Sequence, residues 1–218
     1  MAYEVPALGT AGQVYTAAAH NILVENDILF ATFARGTFTN EAARDAAITS
    51  PTEGMHAYLT APTVPTAAGA TTAIPIGVQT IYNGTVWVCV TPVGAITEAG
   101  GTRASAAVGT LTGGGTNPTV TIVTGATALV TFFCGASTSS AGGETLITYS
   151  VSGATTFAAG SDDNRAYQQN AAAYASLVGR SFIHTGLTAG TNTFTLSYSA
   201  SVGTGTFSER SLVVTGIA

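Results

Sequence analysis

The 218-residue chain has no lysine; its six basic residues are all arginine, and charged side chains make up only 8% of it. An ordinary soluble domain is about 25% charged. Without lysine there is no Walker-type phosphate loop, no Schiff-base nucleophile and no kinase-type phosphate clamp. Six dispersed arginines and a net charge of −5 argue against a sequence-independent nucleic-acid binder, which needs clustered cations. Long apolar runs are missing as well. Alanine and valine are spread along the chain, and no stretch approaches the ~18 apolar residues that span a bilayer, so no membrane insertion is expected. The opening Met1-Ala-Tyr-Glu-Val-Pro6 has neither the basic nor the apolar region of a secretory leader.

Cysteine is nearly absent. Cys89 and Cys134 stand in apolar, β-branched runs, Val86-Trp-Val-Cys-Val90 and Val130-Thr-Phe-Phe-Cys134. Two buried small hydrophobes is the favoured reading, with a disulfide as the alternative. Neither cysteine has a zinc-type spacing to His20, His56 or His184. No metal and no cofactor are expected.

What the chain does have is 38 alanines, 38 threonines and 26 glycines. With so little charge, threonine, serine, glycine and alanine must cover most of the surface. Residues 16–34 carry a helical pattern, with Ala19, Ile22, Asn26, Leu29 and Phe33 at alternating three- and four-residue spacing. Two readings stand here. One is a short oligomer seam with Asn26 fixing register; the other is a helix packed on its own domain. A second helix is predicted from Asn40 to Ile48, capped by Thr39 or Asn40 and stopped by Ser50-Pro51.

The period then changes to two. Residues 55–60, 78–82 and 85–90 read as strands, and Asn83-Gly84 predicts a type I′ hairpin between the last two. Residues 61–75 read as a surface loop and 94–118 as a glycine-rich linker. Strands are predicted at 119–124, 127–134, 144–151, 172–184, 193–200 and 206–216, with Phe194, Leu196 and Tyr198 on one face. The expected fold is mainly β: a small N-terminal α+β module (1–93), the linker (94–118) and an antiparallel, jelly-roll-like β-sandwich (119–218).

Catalytic chemistry finds no foothold. Asp162-Asp163-Asn164 reads as a solvated turn before it reads as a calcium site. The other acids are isolated, there is no Gly-x-Ser-x-Gly elbow, and His184 stands alone in a strand-like run. Arg165, Arg180 and Arg210 are expected to pair with Asp162, Asp163 or Glu209. Trp87 is expected in the core, although Tyr82, Tyr149, Tyr167, Tyr174 and Tyr198 would suit sugar stacking if exposed. The sequence therefore points to no catalytic, metal or cofactor-binding residue, and to a protein that is not an enzyme.

Several motifs occur in a distinctive order: Thr16-Ala-Ala-Ala-His-Asn21, Ala42-Ala-Arg-Asp-Ala-Ala-Ile48, Ser50-Pro-Thr-Glu-Gly-Met55 and Tyr82-Asn-Gly-Thr-Val-Trp87. This series resembles a module of minor tail and fibre-like virion proteins of actinobacterial bacteriophages. Residues 186–198 with Phe207-Ser-Glu-Arg-Ser-Leu-Val-Val214 resemble the β-sandwich that often ends them. The resemblance implies a virion structural role, made in the host cytoplasm, as a homotrimer in contact with other virion proteins. A capsid decoration or head-fibre protein, and a protein that binds or depolymerises host-surface glycan, are the alternatives. The N-terminal module is expected to dock and the sandwich to project. Scarce charge agrees with this, because sheet edges normally defended by lysine would then be covered by neighbouring subunits.

Overall fold

The computed structural model describes residues 36–160, 164–169 and 175–218, with the backbone alone for 167–169. The 16–34 helix and its seam residues Ala19, Ile22, Asn26, Leu29 and Phe33 lie outside the described residues, as do Asp162 and Asp163.

A small sheet comes first. It contains β1 (Gly36–Phe38), β2 (His56–Leu59), β5 (Val78–Tyr82) and β6 (Trp87–Cys89), in the order β1-β2-β5-β6. Helix α1 (Glu41–Ala47) lies between β1 and β2; the Asn40 side chain accepts from the Ala43 N–H at 3.0 Å, which caps it. The predicted hairpin between β5 and β6 exists, but Tyr82 pairs with Trp87 across a four-residue loop. Asn83 Oδ1 accepts from the N–H groups of Thr85 and Val86, and only Gly84 takes positive φ, at 87°. A type I′ turn needs positive φ at both central residues. Here the asparagine side chain closes the loop instead.

The rest is a two-layer sandwich. One sheet runs β14 (Ser176–Thr185), β11 (Thr127–Thr138), β16 (Gly205–Ile217), β7 (Val93–Thr97), β4 (Thr71–Ala73). The other runs β13 (Arg165–Gln169), β12 (Glu144–Gly153), β15 (Gly190–Ala200), β10 (Thr119–Thr124), β3 (Thr66–Ala68). Every pairing in both sheets is antiparallel. With the outermost strands β3 and β4 set aside, the orders are β7-β16-β11-β14 and β10-β15-β12-β13. That is the eight-strand connectivity of a jelly roll.

Two sequence expectations are corrected. Residues 94–118 are not a linker. β7 is the first strand of the jelly roll, and β8 (Gly101–Arg103) pairs with β16 and with the short β9 (Thr112–Gly113). Residues 105–118 then cross to the other sheet, where Ser105, Gly109 and Pro118 bond along β15 beyond the end of β10. The physical reason is crowding: a Cβ on Gly94 would lie 3.3 Å from Val213 Cγ2, and one on Gly101 2.9 Å from Leu111 Cβ. These glycines are small because neighbours press on them. Likewise 61–75 is not a surface loop, since β3 adds to one sheet and β4 to the other. The loop at 63–64 is tethered by Glu41, whose carboxylate accepts from the N–H groups of Thr63 and Val64.

Strand alternation fills the interior. Phe132, Phe194, Leu196, Tyr198, Tyr149, Phe207 and Leu212 are fully buried, and Leu59, Val78 and Cys89 of the small sheet join the same core. Each large apolar side chain removed from water stabilises the fold by about 1.5–3 kcal/mol. A satellite cluster of Met55, Ala57 and Trp87 sits under α1, with the Arg44 guanidinium 4.7 Å from the Trp87 ring centroid.

Candidate interaction surfaces

The interior polar groups serve structure. Arg210 does not meet a carboxylate, as the sequence suggested. A register shift in the β11–β16 pairing between Phe133 and Gly135 sets Glu209 and Arg210 opposite Cys134, with Glu209 at φ 49°. This bulge aims Arg210 inward. Its guanidinium donates to Asn117 Oδ1 at 3.0 Å, to the Ala99 carbonyl at 3.2 Å and to the Gly114 carbonyl. Asn117 Nδ2 in turn donates to the Leu196 carbonyl of β15. Arg210 is thereby a stitch from one sheet, through the crossing segment, to the other. The three acceptors it meets are amide and backbone carbonyl oxygens.

Asn164 is corrected too. It is buried, not solvated: its Nδ2 donates to the Tyr149 carbonyl at 2.6 Å, and Thr148 Oγ1 donates to its carbonyl and Oδ1. His184 is buried beside Phe157 and Phe194, with Nδ1 2.8 Å from the Tyr149 hydroxyl. Burial holds His184 below the usual imidazole range and pushes the Tyr149 hydroxyl up. Cys89 and Cys134 are free and buried, their thiols raised by burial to about 11 and about 12. Thiols held in that state are poor nucleophiles. Among the described residues no group of three His, Cys, Asp or Glu is placed to hold a metal, and no helix is long and apolar enough to cross a membrane.

The two outer faces of the sandwich are unlike. On the larger sheet, the outward positions of β11 are Thr127, Leu129, Thr131 and Phe133. They stand beside Thr185, Ile183, Ser181 and Gly179 of β14, and beside Ile217, Thr215, Val213 and Ser211 of β16. Gly94 and Ile96 of β7 continue the row. None of these residues is charged. Leu177 of β14 is 68% exposed and Ile183 56%, with Leu129, Phe133 and Ile217 also exposed. Contiguous exposed apolar surface of this kind marks interaction sites.

The smaller sheet presents hydroxyls instead. Thr121 of β10 bonds Thr193 of β15 at 2.9 Å, with Ser152 of β12 next in the row; Thr119, Thr195 and Ser150 form a second row. At one end lies a cleft of about 350 Å³ lined by Ala106, Glu144, Leu146, Arg165, Ser199 and Ser201. Its Ala106 wall belongs to the crossing segment, which Arg103 holds in place by donating to the carbonyls of Ala107 and Thr110. Sequence reasoning missed this cleft because its residues come from four separate stretches, one of them taken for linker.

The sequence matches no protein-family model and no curated protein. Among solved structures, it is similar to the VP2 subviral particle of infectious bursal disease virus, at 13% identity and a TM-score of 0.42, covering 64% of this chain and 42% of that one. It is also similar to an Eiger TNF from S. frugiperda, at 12% identity and a TM-score of 0.38, covering 57% of this chain and 92% of that one. A carbohydrate-binding module of Cellvibrio mixtus lichenase 5A follows at 13% identity and a TM-score of 0.25, covering 54% and 88%. At such scores no property of those proteins transfers to this chain.

Proposed function

We propose that this chain is a non-enzymatic structural component of a virion, a small minor tail or fibre-like protein that assembles with further copies of itself. The observation that carries the reading is the uncharged block on the outer face of the larger sheet, across β14, β11 and the Ser211–Ile217 part of β16, with Leu129, Phe133, Leu177 and Ile183 exposed together. A second copy brings an equally uncharged block, so contact between the two blocks requires no ion within them to be desolvated. The order of motifs, which resembles that of phage tail and fibre-like proteins, supports the virion setting and a trimer. The buried, high-lying thiols and the enclosed His184 support a role without catalysis.

Light scattering coupled to size exclusion tests the assembly. At micromolar concentration the mass should be about three times the 21.7 kDa of one chain. A clean monomer would overturn the proposal. Localisation of the labelled chain on purified particles by cryo-EM tests the virion setting; its absence from particles would refute it.

A further inference from the structure

The assembly proposed above names one surface of the chain, and a ring of three needs two. A patch that meets its own copy closes at a two-fold dimer. A three-fold ring is heterologous, each copy offering one patch backward and a different patch forward. The uncharged block across β14, β11 and β16 is one of them, and the exposed apolar residues identify the other. Among the described residues ten large hydrophobic side chains are exposed. Six lie on the outer face of the larger sheet, Leu177 and Ile183 the most open of them. Val202 stands alone in the turn after β15. The remaining three, Tyr58, Ile74 and Ile76, gather where β4 leads into β5.

Ile76 is 93% exposed. It tips a four-residue loop, 74–77, whose ends are fixed by β4 in the larger sheet and β5 in the small first sheet. Pro75 holds its own φ within that loop. Gly77 lets Tyr58 lie against it, since a Cβ there would collide with the Tyr58 hydroxyl. The knob is therefore short and tethered, and burying it costs little conformational freedom. Residues 54–97 contain no Asp, Glu, Lys or Arg, so the knob and its flanking strands bring no charge of their own.

We infer that the trimer closes head to tail, with the 74–77 knob and Tyr58 of one copy seated on the Leu129, Phe133, Leu177 and Ile183 block of the next. This contact rests on the trimeric assembly proposed above and names the surfaces that form it. Their placement suits it. In the order β14-β11-β16-β7-β4 the block occupies the β14 side, and the knob follows β4 at the opposite edge. Each copy can then serve both of its neighbours at once. Ile76 and Leu177, the two most exposed of the ten, would leave water together, and no ion within either surface would be desolvated.

Light scattering coupled to size exclusion tests the contact, with the full chain and its variants at micromolar concentration. The parent should read about three times 21.7 kDa. Ile76→Asp charges the knob, and Leu177→Asp with Ile183→Asp charges the block. Each should return about 21.7 kDa, because either change spoils all three contacts of the ring. Val202→Asp, exposed but outside both patches, should leave the mass at three chains. Every altered position is exposed, and near-ultraviolet circular dichroism matching the parent shows that the variants fold. Head-to-tail closure is refuted, with assembly itself left standing, if fewer than both of the charged patches dissociate the oligomer or if Val202→Asp dissociates it as well. A parent of two chains, or one whose mass climbs past three with concentration, refutes closure in the same way. A monomeric parent refutes the assembly and the contact together.

Discussion

The two outer faces are built from the same poor alphabet and end as opposites. On the larger sheet the outward positions from Thr127 to Phe133 and their neighbours alternate threonine and serine with Leu129, Phe133, Ile183 and Val213, with no charge among them before the exposed Glu209 of the β16 bulge. On the smaller sheet the outward positions are almost all hydroxyls, and a carboxylate and a guanidinium gather at one end. The lesson is that a chain with 8% charge can still differentiate its surfaces by deciding where its branched aliphatics and its few ions fall. One face suits a protein that is equally uncharged; the other suits water.

The largest effect is expected from removing the first strand of the jelly roll, β7, which pairs with both β16 and β4. A fragment of residues 103–218 lacks β7, the hydrogen-bonding neighbour of β16. It should fail to give a cooperative unfolding transition, whereas a fragment of residues 93–218 retains all eight jelly-roll strands and should give one. Circular dichroism in urea distinguishes them.

Next in size is the stitch itself. Arg210→Met leaves the Ala99 and Gly114 carbonyls and Asn117 Oδ1 without their donor. Buried acceptors left unpaired cost about 1–3 kcal/mol each, less than additively. Equilibrium denaturation should therefore register a loss of about 3–5 kcal/mol.

A smaller effect arises in the layer between the sheets. Because burial lowers the His184 value from 6.5 in the folded chain, the unfolded chain binds a proton more readily than the folded one. Stability contributed by the neutral imidazole is complete above about 6.5 and declines as pH falls through the folded value. The thermal midpoint should drop with acidification over that window, and His184→Gln should flatten the dependence. The smallest change is expected on the hydroxyl face. Thr121→Val removes one half-buried bond to Thr193 and should alter stability by about 1 kcal/mol or less.

Much of this fold was legible because strand period is a strong signal. β10 matches its predicted bounds, and β11, β12, β15 and β16 contain theirs. Phe194, Leu196 and Tyr198 face inward together as alternation required. The misses share a cause: composition was read as flexibility. Gly94-Ala-Ile-Thr97 looked like the start of a loose stretch, yet small residues there let β16 and β4 approach on either side. β13, with the sequence Arg-Ala-Tyr-Gln-Gln, has no apolar alternation to announce it. The uncharged block was hidden for a different reason. Leu129 and Phe133 sit in a run that is apolar on both faces, which looks the same as a strand buried on both sides. Arg210 was misassigned because nothing local tells an arginine that will seek carbonyls from one that will seek a carboxylate.

The central claim, that the larger sheet and not the smaller one joins copies of the chain, is tested most directly by moving charge between the faces. Leu177→Asp with Ile183→Asp places two carboxylates on exposed positions of the larger sheet, and Thr121→Asp with Thr193→Asp does the same on the smaller one. Light scattering at micromolar concentration should return about 21.7 kDa for the first pair and an undiminished oligomer for the second. An oligomer that survives charge on the larger sheet, or one that dissociates only when the smaller sheet is charged, would contradict the account.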